Sequence, residues 1–175
     1  MSSGWRGWIH RHSTRLFGPS DHTTPLSWIG EERLAVGRLP TALSLPALID
    51  DGVTHVVNCR ARAQTWLSQD LAVERLLFGR SRVMAAPMWD SGLPQPPALW
   101  SAAALFAADA LADPEARVLI HCQQGRRRSV LLAYAVLRLR GHDPDGAVRL
   151  ILAHRLEAEV VPAYQTSVEH WLTGR

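Results

Sequence analysis

Apolar residues along the chain fall into short runs of two kinds. Strand-like runs rich in β-branched residues stand at 34–37, 53–59, 82–87 and 117–121. Between and after them lie Ala- and Leu-rich segments with helical spacing, at 41–50, 61–78, 97–111, 128–139, 145–154 and 161–172. Val118, Leu119 and Ile120 form an unbroken apolar run, and Val53, Val56 and Val57 sit in a run closed by Asn58. Such strands read as buried on both faces, between helix layers. The alternation predicts an α/β fold: a central, mostly parallel sheet of about four to five strands flanked by helices, with a helical C-terminal half formed by the last three helices. A length of 175 residues suits one core. We therefore expect a single domain over 25–175, preceded by an N-terminal extension over 1–24 in which Gly, Ser, Thr and His mix with scattered aromatics.

Composition narrows the class without choosing a function. No stretch approaches the roughly 18 consecutive apolar residues of a membrane span, and no apolar signal-peptide run opens the chain. A cytoplasmic protein is expected. Its two cysteines, Cys59 and Cys122, are too few for a secreted disulfide framework and suggest a functional thiol in a reducing compartment. The chain has no Lys, and its net charge of +3 rests on Arg. That balance favours anionic partners in general. The N-terminal segment around Trp5, Trp8 and Phe17 mixes bulky apolar and basic residues, so a membrane surface is one conceivable partner, set against packing on the domain or disorder.

The segment richest in chemistry is 118–129, where an apolar strand runs into the loop His121-Cys122-Gln123-Gln124-Gly125-Arg126-Arg127-Arg128-Ser129 and then into a helix. In a strand–loop–helix unit the loop amides and the positive end of the helix dipole converge on one point, which favours a bound phosphate or a thiolate. Cys122 stands at that point. Among Arg side chains its thiol should ionise readily and serve as a nucleophile. Arg128, six residues on, can return over the centre of a curled loop and hold two phosphate oxygens at once, a geometry open to a planar guanidinium and closed to an ammonium. The bare Cys-x5-Arg spacing is common; its context of preceding His, internal Gly and following Ser is not.

In that context the segment resembles the His-Cys-x-x-Gly-x-x-Arg-Ser/Thr signature of the protein tyrosine and dual-specificity phosphatase superfamily. The stretches Val36-Gly37-Arg38-Leu39-Pro40 and Gly52-Val53-Thr54-His55-Val56-Val57-Asn58 are similar to two strands of small dual-specificity phosphatases, so the resemblance spans about 27–172. It implies a general acid on a loop some thirty residues before the cysteine, a place held by Asp90 in Pro87-Met-Trp-Asp-Ser-Gly-Leu-Pro94. Asp109 and Asp113, in or at the end of a helix, are weaker candidates. It implies further that the Ser129 hydroxyl stabilises the leaving thiolate, that His121 organises the loop and tunes Cys122, and that neither metal nor cofactor is needed.

The expected substrate is a phosphorylated protein or a phosphoinositide, with no nucleic acid partner. Arg126 and Arg127 add two cations inside the signature and suggest a multiply phosphorylated substrate, unless both side chains merely point into solvent. Cys59 ends a strand as Cys122 does, so a reversible disulfide between them is conceivable; a small core residue is the plainer reading of Cys59. Arg60 and Arg62 read as further rim cations, or as solvated ones. Two rival functions remain: a catalytically silent module that binds phospho-ligands, and a rhodanese-like sulfurtransferase, which would need no general acid.

Overall fold

The computed structural model describes residues 26–175. Among these residues five strands, β1 (Leu26–Trp28), β2 (Leu34–Arg38), β3 (His55–Asn58), β4 (Val83–Ala85) and β5 (Val118–Cys122), form one sheet in the order β1-β2-β5-β3-β4. All neighbours pair in parallel except β1, which closes the edge as the antiparallel partner of β2, with Ser27 opposite Val36. The four expected strands are present, though 82–87 shrinks to Val83–Ala85. The β1 strand escaped the pattern because Leu-Ser-Trp is too short to show a period. The proposed extension over 1–24 lies outside the described residues.

Among the described residues seven α-helices flank the sheet: α1 (Leu45–Asp50), α2 (Arg62–Ser68), α3 (Asp70–Phe78), α4 (Ser101–Ala110), α5 (Arg128–Leu139), α6 (Pro144–His154) and α7 (Pro162–Thr173). The starts of α6 and α7 follow from local chemistry. Pro144 and Pro162 pre-set the first helical turn, and the Asp143 carboxylate accepts the Gly146 N–H at 2.8 Å. The single helix expected over 61–78 is in fact two, broken at Gln69, whose φ of 56° is left-handed. After the break, α3 buries Asp70, Glu74 and Phe78, whereas α2 buries none of its residues.

The two faces of the sheet differ. One packs against α4, α5, α6 and α7 and carries the larger core, in which Val57, Cys59, Val118, Ile120 and Cys122 meet Trp100, Val130, Leu132 and Ile151. The helix α5 is buried along Arg128–Leu137 and lies at the centre of this layer. The other face takes Ala35, Val56, Val83 and Leu119 against Leu45, Leu48 and Phe78 of α1 and α3. Because side chains alternate along a strand, the even-numbered Cys122 and the odd-numbered His121 point to opposite faces.

Candidate active site

At the carboxyl ends of β3 and β5, loop and helix assemble around one sulfur atom. Cys122 ends β5, and the chain from Gln123 to Arg127 curls back over it before α5 begins at Arg128. The backbone N–H of Gly125 donates to Cys122 Sγ at 3.2 Å, and the Ser129 hydroxyl lies 3.4 Å from the same sulfur. Burial on its own would push the thiol pKa up. The Ser129 hydroxyl and backbone N–H, the Arg128 guanidinium and the Arg126 N–H together outweigh it, so the Cys122 pKa is lowered from its ordinary value. A thiolate held this way is a competent nucleophile toward an electrophile seated in the loop.

Gly125 is required by the curl. Its φ of 67° is left-handed, and a Cβ there would sit 2.4 Å from the Gly37 carbonyl carbon. From below, the loop is held by Arg155, which is buried after α6 and donates to the carbonyl oxygens of Gly125 and, at 3.1 Å, Val36. Arg128 is buried too. It donates to Met88 O at 3.1 Å and Gln64 Oε1 at 3.0 Å, while its Nε has no hydrogen-bond partner. A buried guanidinium left with an unspent N–H at the loop is arranged to receive an oxyanion.

Asp90 lies at the mouth of the loop. Its Oδ1 is 3.1 Å from Arg127 Nη1 and accepts the Tyr164 hydroxyl at 3.2 Å. The segment that carries it is stitched by the buried Gln95 amide, which donates to Trp89 O, Ser91 Oγ and Leu93 O. The alternatives fall away from the loop: Asp109 is part of α4, and the Asp113 carboxylate caps the Glu115 N–H. Arg126 and Arg127 do not simply point into solvent. Arg126 pairs with Glu159, and Arg127 reaches both Asp90 and, at 3.6 Å, Glu159. Gln123 and Gln124 are exposed on the rim.

Behind the loop lies a group of residues that sequence reading did not assemble. Asn58 and His121 are paired in register on neighbouring strands and face α3, where Asp70 and Glu74 project one turn apart. The Asn58 amide donates to Asp70 Oδ2 at 2.8 Å and to the Glu74 carboxylate at 3.1 and 3.2 Å. His121 Nε2 lies 2.8 Å from Glu74 Oε1, and Arg60 Nη1 lies 2.8 Å from Asp70 Oδ1. Arg60 is therefore a buried ion-pair partner, which corrects its reading as a rim cation; Arg62 is exposed. A signal was available: Asp70, Glu74 and Phe78 share a four-residue spacing, and Phe78 is core. Cys59, on the same face as Cys122, is fully buried with a free thiol. Burial pushes its pKa well up, and the Cys122 charge adds to the rise.

This arrangement of sheet, cysteine loop and helix defines the fold of the dual-specificity phosphatases. Solved structures share it: PTPMT1 (20% identity, TM-score 0.70, 85% of this chain and 94% of that one), human DUSP28 (23%, 0.67, 87% and 95%) and kinase associated phosphatase (16%, 0.73, 89% and 97%). No family model matches the chain. Among the described residues no helix is long and apolar enough to cross a membrane.

Proposed function

We propose that this protein is a cysteine-dependent phosphatase that hydrolyses phosphate monoesters through a cysteinyl-phosphate intermediate. The observation that carries this reading is the Cys122 sulfur at the focus of the Gly125 N–H, the Ser129 hydroxyl and the Arg128 charge, with its pKa lowered despite burial. The Cys122 thiolate attacks phosphorus, the P–O ester bond breaks, and protonated Asp90 delivers its proton to the departing oxygen. Loop amides and Arg128 stabilise the charge on the transferring phosphoryl group. Asp90, now a carboxylate, takes a proton from water as the water oxygen attacks phosphorus; a P–O bond forms, the P–S bond breaks, phosphate is released and the thiolate returns, with Ser129 donating to it. The supporting geometry is the placement of Asp90 beside Arg127 of the loop and under the Tyr164 hydroxyl.

The substrate we infer is a phosphorylated protein or a phosphoinositide. Among the structural neighbours PTPMT1 is seen in complex with PI(5)P, and a basic rim suits a multiply phosphorylated headgroup. Glu159 bears on this reading, because a second phosphate must compete with it for Arg126 and Arg127. Equal losses on mono- and polyphosphorylated substrates in an Arg126→Ala/Arg127→Ala variant would remove the preference. We also propose that Cys59 protects Cys122: peroxide converts the Cys122 thiolate to a sulfenic acid, and the Cys59 thiol condenses with it, releasing water and forming a disulfide. Non-reducing peptide mapping after peroxide tests this, and absence of a Cys59–Cys122 crosslink discards it.

The functional reading is tested by hydrolysis of an aryl phosphate in the presence of chelator, with Asp90→Asn slowing turnover about a hundredfold. A silent binding module would retain phosphate-analogue binding with no turnover; one neighbour is described as a tyrosine phosphatase-like interacting protein. A sulfurtransferase would instead move sulfur from thiosulfate to cyanide.

A further inference from the structure

With both carboxylates ionised, the charges on the α3 side of the sheet balance when His121 carries a proton. Asp70 is matched by Arg60 at 2.8 Å and further bonded by Ser68 and by the Asn58 amide. Glu74, which is 1% exposed, shares that amide and pairs with no guanidinium among the described residues. The cation within its reach is His121, at 2.8 Å and 0% exposed. Two carboxylates against one guanidinium leave a net negative charge in a dry interior, and a protonated imidazole cancels it.

We propose that Glu74 is a positioning residue, which through its pair with His121 keeps a cation fixed directly behind Cys122. Glu74 touches no substrate; it lies on the opposite side of the sheet from the loop. Its effect passes through one strand, because residues 121 and 122 are adjacent and alternate between faces. Burial acts to strip the proton from His121, but the charges of Glu74, Asp70 and Cys122 overcome it, and the His121 pKa is raised. The remaining charged or ionisable groups around the pair belong to other tasks: Arg60 is spent on Asp70, Arg128 and Arg155 bear on Cys122 from the loop side, and Cys59 stays a neutral thiol through burial. The inference rests on the phosphatase reading only for its consequence in turnover.

The experiment is the pH dependence of Cys122 alkylation by iodoacetamide in the full chain, followed by peptide mass so that Cys59 does not contribute. Glu74→Gln keeps the shape and the Asn58 contact but removes the charge, and should move the alkylation midpoint up by about one pH unit. Glu74→Asp should restore part of the shift. In a His121→Asn background Glu74→Gln should add nothing further, since its route to the thiol is gone. Ring-carbon NMR of His121 in the unmutated protein should show an imidazolium at pH 7. A neutral His121 ring there, or an unshifted midpoint in a folded Glu74→Gln protein, overturns the proposal. Alkylation involves no phosphoryl transfer, so a chain that hydrolyses no phosphate ester would still report on Glu74. Conversely, hydrolysis combined with an unshifted profile would sink Glu74 alone.

Discussion

The two faces of the sheet meet the same loop with opposite chemistry. On the α5 side, Cys59 and Cys122 lie against Val130, Ala133 and other apolar groups, and the polarity comes from backbone amides, a hydroxyl and two guanidinium groups at the rim of a large core. On the α3 side, one register step away, Asn58 and His121 are buried with Asp70, Glu74 and Arg60. Around the thiol the polar groups are backbone dipoles, a hydroxyl and cationic guanidinium groups, with no carboxylate bonded to the sulfur among the described residues; both buried carboxylates stand behind the sheet. The α5 side should thus respond to changes of shape, and the α3 side to changes of charge.

The largest effect is expected on the α5 side from Gly125→Ala. The added methyl meets the Gly37 backbone at 2.4 Å and an Arg155 nitrogen at 2.5 Å, so the curl opens and the Gly125 N–H leaves the sulfur. Activity should fall at least about a hundredfold, measured as kcat/KM on an aryl phosphate. On the α3 side, Asn58→Ala removes the amide shared by both carboxylates and should cost about 3 kcal/mol in urea unfolding. Cys59→Ala, its neighbour on the apolar side, should cost only about 1 kcal/mol. A reversal of that order would undo the comparison.

The pH dependence of stability sharpens it further. His121 binds its proton more tightly folded than unfolded, so its contribution is complete below the unfolded value of about 6.5 and is lost as pH rises through the higher folded value. For Asp70 burial acts upward, but Ser68, Asn58 and Arg60 lower its pKa on balance; its contribution is present above about 3.9 and fades as pH falls through the depressed folded value. Unfolding free energy measured across pH should therefore fall at both ends, and His121→Asn should flatten the alkaline side alone. The smallest effect belongs to Glu169 on α7, where Arg138 and then the Tyr134 hydroxyl lower its pKa by bonding it. The Arg138 and Glu169 side chains are 20% and 30% exposed, so solvent still screens the pair; Glu169→Gln should cost about 1 kcal/mol at neutral pH, an effect that fades as pH falls through the depressed folded value.

The α5 side of the site was legible in the sequence because its parts are consecutive. Strand, loop and helix lie within 118–139, and the residues that carry the chemistry follow from one local geometry. The loop that carries Asp90 was singled out through resemblance to a family, and its contact with Arg127 and Tyr164 came from the structure. The α3 side was not, since Asn58, Arg60, Asp70, Glu74 and His121 come from three segments, and the left-handed Gln69 that separates α2 from α3 carries no sequence mark of its own. A charged residue in a helix reads as solvated until a second charge is found facing it. Arg155 was missed for the same reason, as its partners Gly125 and Val36 are 30 and 119 residues away.

The most direct test of the central claim is capture of the covalent intermediate. An Asp90→Asn protein, slowed in both steps, is mixed with an aryl phosphate, quenched in acid and mapped by peptide mass. The expected result is a phosphoryl group on Cys122 and none elsewhere, absent in Cys122→Ser along with all turnover. Turnover without phosphocysteine, or turnover that persists in Cys122→Ser, would contradict it.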